Sequence, residues 1–303
     1  MFIDIHSHAY RIPVHFISEC FCTIEELIAR YDEMGVEKCC ILPVVNPEIY
    51  FPQTNEDILD MAEKYPDRVI PFCNVDPRAI TNSPYSDFTP VLQYYKERGC
   101  KGVGEVMPNL DFDDPMVQNL FAAAEKVGLP VTTDGSDLHT HDFGLYDDPG
   151  LPRLEHTLQK FPELRMFGHG PIFWSEIAKL ETVGSRGFVF DNDPHGHQVG
   201  RLPQSKVTEE GVVPKLFRLY PNLLGDLSDR TCYNAFARDE EYGSKFMMEF
   251  QDRLFFGTDM LGPDMPCELP DLLIRWKNEG KLSEDAFYKI AKGNACKLLG
   301  IKE

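Results

Sequence analysis

The chain has 303 residues, 43% of them apolar and 26% charged, and 49 acidic against 30 basic side chains give a net charge of −19. That suffices for a large core, in one big α/β domain or two ordinary ones, and no stretch approaches the roughly 20 apolar residues that cross a bilayer. So negative a field repels phosphate backbones and anionic lipid heads, which excludes nucleic acid and membrane surfaces as expected partners.

The first segment, FIDIHSH (2–8), reads as a strand. A two-residue period puts Ile3 and Ile5 on one face and Asp4, His6 and His8 on the other. An interior strand with such a second face needs a partner for it, because burying unpaired polar groups costs several kcal/mol. TIEELIARYDEMG follows as an amphipathic helix with Ile24, Leu27, Ile28 and Tyr31 on one stripe, then an apolar strand over 36–43. NEDILDMAEKY and a strand over 68–74 repeat the unit, and a strand over 100–105 precedes PMVQNLFAAAEKVG, where Pro115 suits a first helical position. Further strands are expected over 130–134, 164–169, 223–228 and 253–259.

Four segments share a shape: EKYPDRVIPF, QKFPELRMFG, RLYPNLLGDL and EFQDRLFFGT. Each ends a helical stretch, turns, and enters a short apolar strand, and the proline in three of them disfavours helix just before it. Eight strands alternating with helices argue for a closed (β/α)8 TIM barrel. An open doubly wound sheet is the rival, but no G-x-G-x-x-G follows the first strand. Two long loops, SDLHTHDFGLYDDPG (136–150) after strand 5 and DNDPHGHQVGRLPQSK (191–206) after strand 6, leave the strand ends where a barrel keeps its active site. With no linker or low-complexity tract, one domain over 1–303 is expected.

The nine cysteines form no C-x-x-C pair and several sit in apolar runs such as VEKCCILPV, so buried reduced thiols are expected. The N-terminus has neither a basic n-region nor a long apolar h-region, so no signal peptide is expected. Together these point to a reducing, cytoplasmic setting.

The strand ends carry His6 and His8, Asn74 and Asp76, Glu105, Asp134, His169, Asp226 and Ser228, and Asp259. In a barrel these meet at one mouth, and imidazoles with carboxylates in a partly buried place are what a divalent cation needs. Each has an ordinary alternative alone: Glu105 as a salt bridge to Lys101 or Arg98, Asp259 as a helix N-cap, His169 as a core histidine. The order H-x-H, Glu, His, Asp on strands 1, 4, 6 and 8 carries the argument.

With FIDIHSH, KGVGE, FGHGPIFW, LFFGTDM and YPNLLGDLSDRTCYNAFARD, the chain resembles the amidohydrolase superfamily, in particular the amidohydrolase-related branch that includes aminocarboxymuconate semialdehyde decarboxylases. The resemblance implies a metal held by His6, His8 and Asp259, with His169 as ligand or substrate contact and Glu105 able to bridge two metals. Zinc, or manganese, is the implied cofactor, one or two per chain. PVTTDG departs from the family, which usually places a histidine where Asp134 stands. Asp134 is then a harder oxygen ligand, an orienter of a histidine, or a lost ligand. His139 and His141 could substitute for it, and His195 and His197 have the same spacing.

The implied reaction is metal-assisted hydrolysis of a small ester, lactone or amide, with a carboxylate bound by Arg201, Arg230 or Arg238. Water made more acidic by the metal would give its proton to Asp259, which would pass it to the leaving group, while His169 would polarise the carbonyl or bind a second metal. A non-oxidative decarboxylase on the same cage is the alternative, and a degenerate barrel acting as a binding protein is the third reading. Members of this branch are often dimers, which makes a homodimer the implied assembly.

Overall fold

The computed structural model describes residues 1–16, 19–49, 53–182, 186, 191–192, 198–199 and 202–302, with 15, 16, 19, 20, 191, 192, 198 and 199 described by backbone alone. His195, His197 and Arg201 lie outside the described residues. No helix among the described residues is long and apolar enough to cross a membrane.

Among the described residues, eight parallel strands form the centre: β1 (Phe2–Ser7), β2 (Val36–Ile41), β3 (Val69–Pro71), β4 (Val103–Val106), β5 (Val131–Thr133), β6 (Met166–Gly168), β7 (Leu223–Asp226) and β8 (Leu254–Phe255). They fall into two ladders, β1–β2–β3 and β4–β5–β6–β7–β8. Both seams between the ladders are stitched. Ser7 bridges Met260 in parallel and Cys73 bridges Val103. Ile5 N donates to Phe256 O at 2.9 Å, and Cys73 N donates to Gly102 O at 3.0 Å. The ring therefore runs through all eight strands in chain order, the TIM barrel that the alternating pattern predicts. Each strand falls where expected, most of them shorter by a few residues.

The helices follow their local chemistry. α1 (Ile24–Met34) starts at Thr23, which accepts from Glu26 N in a capping box, and stops at the left-handed Gly35 (φ 73). α2 (Asn55–Lys64) is capped the same way by Thr54 and Asp57. α3 (Thr89–Glu97), α4 (Pro115–Val127) and α5 (Pro152–Lys160) continue the ring, the latter two beginning with proline at the first position. After β6 come a short turn of helix, Gly170–Trp174, and α6 (Val212–Leu219). After β7 come α7 (Asp229–Ala237) and α8 (Glu240–Glu249), and after β8 α9 (Leu269–Asn278) and α10 (Asn294–Leu299).

Two apolar layers result. Ile3, Ile5, Cys40, Leu42, Ile70, Phe72, Phe167, Leu224 and Phe255 fill the inside of the barrel with Ala295 and Leu299 of α10, while the larger layer lies between strands and helices. Cys39, Cys40, Cys73, Cys100 and Cys232 are buried free thiols in these layers. In the outer layer Phe217 packs on Phe173, Phe246 and Phe250 with ring centroids 5.0–6.3 Å apart, under the Arg253 guanidinium at 5.2 Å. Phe217→Ala should cost about 3–5 kcal/mol of unfolding free energy, read from urea denaturation; a loss well under 1 kcal/mol would mean that this cluster is not a unit.

One expectation is corrected. Strict alternation puts Asp4 on the face of His6 and His8, but the β1–β2 register shifts between Asp4 and Ser7. Before that irregularity Asp4 faces outward, where its Oδ2 accepts from Tyr31 OH at 2.5 Å and Thr258 Oγ1 at 2.6 Å. A bulge of this kind re-aims side chains at barrel rims, so Ile3 and Ile5 line the interior while His6 and His8 reach the mouth. Burial lifts the Asp4 carboxyl to about 7 against the hydrogen bonds from Thr258, Tyr31 and His6 N, beside the Asp226 charge.

Candidate metal centre

At the C-terminal mouth, His6 and His8 of β1 and its exit, Glu105 of β4 and Asp259 after β8 present four donor atoms to one point. His6 Nε2 lies 3.2 Å from His8 Nε2 and 3.3 Å from Glu105 Oε2. Asp259 Oδ1 is 3.3 Å from His8 Nε2 and 3.6 Å from His6 Nε2, and Glu105 Oε2 is 3.6 Å from His8 Nε2. Ligands about 2.1 Å from a tetrahedral ion stand about 3.4 Å apart, so these spacings suit a divalent cation with two nitrogen and two oxygen ligands. The lone pairs are aimed: His8 Nδ1 donates to Leu42 O at 2.8 Å and His6 Nδ1 to Asp226 Oδ2 at 2.6 Å, leaving both Nε2 atoms free to coordinate.

Glu105 is buried and faces His6, His8 and His169, while Arg98, one of its expected ordinary partners, instead donates to Tyr94 OH at 3.0 Å. Its main-chain oxygen is held by Asn74 Nδ2 at 2.5 Å. The other carboxylate oxygen, Oε1, lies 3.5 Å from His169 Nε2, so Glu105 stands between His6 and His8 on one side and His169 on the other. Glu105, Asp134 and His169 form a second close group of possible ligands. Asp134 is buried, its Oδ1 accepts from Gly135 N at 2.8 Å, and it abuts Gly170, whose positive φ of 78° and missing side chain make room for it.

The remaining expected residues sort clearly. Asp259 does not cap a helix; it sits after β8 in a left-handed conformation (φ 53), and its side chain, 22% exposed, is the member of the four-donor group that reaches solvent. His139 stacks on Tyr146 at 3.5 Å and faces Asp111, and both it and His141 are exposed, away from the cage. Asp76 pairs with Arg78 at 2.7 Å rather than joining the cage. Arg230 is exposed in the first turn of α7 next to the mouth, whereas Arg238 sits at that helix's far end. Among residues that the ligand set leaves out, Asp226 and Ser228 contact both His6 and His169. Their only sequence signal is position, at the end of strand 7.

Electrostatics match a cation hole. Burial opposes charge on both rings of β1, yet Glu105, Asp226 and Asp259 together hold His6 well above the ordinary imidazole range. Against the same burial penalty, hydrogen bonds to Asp259 and Glu105 push His8 up to about 9. Burial also works to raise Glu105, but His6, His8 and His169 hold it well below the usual carboxylate range. Asp134, with burial, Glu105 and Asp259 all acting against its charge, is pushed well above that range. The cluster draws positive charge, from protons when no other cation supplies it.

Comparison with known proteins gives the same family. Among solved structures, an uncharacterised TIM-barrel protein from Bordetella bronchiseptica is 16% identical with a TM-score of 0.62, covering 99% of this chain and 98% of its own. A proposed 2-pyrone-4,6-dicarboxylic acid hydrolase from Pseudomonas putida is 14% identical (TM-score 0.61, 100% and 98% covered). The 5-carboxyvanillate decarboxylase of Sphingomonas paucimobilis is 14% identical (TM-score 0.58, 99% of each chain covered). At such identities these likenesses speak for the fold. No curated protein matches the chain significantly. The family model described as amidohydrolase matches residues 48–301, a span that holds Glu105, Asp134, His169 and Asp259 and begins after His6 and His8. By that match the chain belongs to the amidohydrolase family, an enzyme family whose members typically bind a divalent metal.

Proposed function

We propose that the chain is a single-domain, metal-dependent hydrolase acting on a small ester, lactone or amide that carries a carboxylate. The observation that carries this reading is the set of four donor atoms from His6, His8, Glu105 and Asp259 with tetrahedral spacing. Two imidazoles and two carboxylates suit zinc. An ion bound there supplies Lewis acidity, stabilising negative charge on an oxygen and making water a better nucleophile at neutral pH.

The chain's own residues supply the rest. Asp259 is positioned as proton carrier: Oδ1 faces His8, while Oδ2 lies 3.8 Å from His169 Nε2 on the side nearer His169. His169, anchored at Nδ1 by Ser228 Oγ at 3.0 Å, keeps Nε2 for a reacting oxygen or a second ion shared through Glu105. Arg230 is the favoured partner for the substrate's carboxylate, through its exposed place beside the mouth.

A second reading, non-oxidative decarboxylation of an unsaturated or aromatic acid on the same cage, is supported by two of the compared structures, 5-carboxyvanillate decarboxylase and 2,6-dihydroxybenzoate decarboxylase, which act on ring acids by their names.

Elemental analysis of protein purified without added metal, then loaded with zinc or manganese, tests both readings at their root. One or two equivalents per chain are expected, and a folded chain that holds neither metal under any loading sinks them. Carbon dioxide release from carboxylated aromatic substrates, against acid release from esters and lactones, then separates the two. Asp134→His should shift preference from manganese towards zinc if Asp134 is a ligand; an unaltered titration with both metals would place it outside the coordination shell.

A further inference from the structure

Behind the cage, two buried side chains at the end of β7 touch both histidines that face it. Asp226 Oδ2 lies 2.6 Å from His6 Nδ1 and 3.5 Å from His169 Nδ1. Ser228 Oγ shows the reverse preference, 3.0 Å from His169 Nδ1 and 3.4 Å from His6 Nδ1. The two rings sit 4.5 Å apart, centroid to centroid, so both present the same nitrogen to the same pair. We infer that Asp226, seconded by Ser228, is a positioning residue that sets the tautomer of His6 and the aim of both His6 and His169, and so prepares both sides of Glu105 for metal.

The pair is fixed from several directions. Asp226 Oδ1 accepts from Ser228 N at 3.0 Å, and its main-chain oxygen accepts from the buried Trp174 Nε1 at 2.9 Å. Behind it, Gly257 leaves no room: a Cβ there would come within 2.6 Å of Asp226 Oδ1 and 2.8 Å of Ser228 Cβ. Both carboxylate oxygens therefore receive N–H donors, one from the chain and one from His6. A carboxylate only accepts, so His6 carries its proton on Nδ1 and keeps the Nε2 lone pair for an ion. Asparagine has the same shape but one accepting oxygen. It must either turn its NH2 on His6, forcing the proton to Nε2, or face the Ser228 N–H with a second donor. The inference rests on the metal reading above and extends it to residues behind the ligands.

The test is a competitive zinc titration of chelator-stripped wild type, Asp226→Asn and Ser228→Ala, with imidazole proton NMR of the zinc-loaded chains. Asp226→Asn should bind zinc roughly 10- to 100-fold more weakly and lose the Nδ1–H signal of His6. Ser228→Ala, which removes the partner 3.0 Å from His169 Nδ1 but leaves Asp226 at 2.6 Å from His6 Nδ1, should keep the Nδ1–H signal of His6 and weaken zinc binding less than Asp226→Asn does. Asp226→Asn binding zinc like wild type overturns the inference alone. Wild type taking up no zinc overturns the metal reading and this inference with it. Should Asp226→Asn fail to fold, the wild-type spectrum still decides: an Nδ1–H signal from His6 supports the inference, and an Nε2–H proton on His6 overturns it.

Discussion

Replacing His8 by alanine is expected to strip the metal and lower kcat/KM roughly a thousandfold or more, about 4 kcal/mol of transition-state stabilisation, while the fold persists. The His8 ring is anchored by one hydrogen bond to Leu42 O, and its loss leaves one carbonyl without a donor, a cost of about 1–3 kcal/mol. His6→Ala should lose metal equally but fare worse in stability. It removes the imidazole 2.6 Å from Asp226 and strands a fully buried carboxylate without its nearest side-chain donor, a change that costs about 3–5 kcal/mol. Metal content by elemental analysis and unfolding in urea, run on both variants, separate the two effects. Full metal content in His8→Ala would refute the ligand set. Equal stability in both variants would mean that His6 and Asp226 do not share a proton or charge.

Asp259→Asn is expected to lower kcat about 10²- to 10⁴-fold while part of the bound metal remains. Asparagine keeps an oxygen where Oδ1 faces His8 at 3.3 Å, so a coordinating atom persists, but it cannot take up a proton. A variant with near-normal kcat would confine Asp259 to coordination and hand the proton to another group. His169 would then be the next to replace, since its Nε2 lies 3.8 Å from Asp259 Oδ2.

The barrel and most of the cage are legible in the sequence for different reasons. Strand order follows from periodicity: short apolar runs entered through a turn, as in QKFPELRMFG and RLYPNLLGDL, became β6 and β7 near their expected positions. The mouth follows from topology, since every parallel strand of a barrel delivers its C-terminal residue to one rim. His6, His8, Glu105, His169, Asp134 and Asp259 are therefore found together although up to 253 positions separate them. Alternation failed at Asp4. The register slip before Ser7 is a tertiary event, set by how β1 fits β2 and the loop after β8, and no local pattern marks it.

What the sequence by itself determined is which chemistry gathers at the rim: two imidazoles on strand 1, carboxylates on strands 4, 5 and 8, an imidazole on strand 6. That information is carried by residue type and strand position alone. Only the tertiary structure decided which atoms meet. It turned Asp4 away to Tyr31 and Thr258, left His139 and His141 on the surface, set Glu105 between two groups of donors, and put Asp226 and Ser228 behind His6 and His169. The physical reason is that a metal cage is defined by separations of a few tenths of an ångström. Those come from the register of strands, bulges and packed glycines far apart in the chain, and no pattern of neighbours along it can encode them alone.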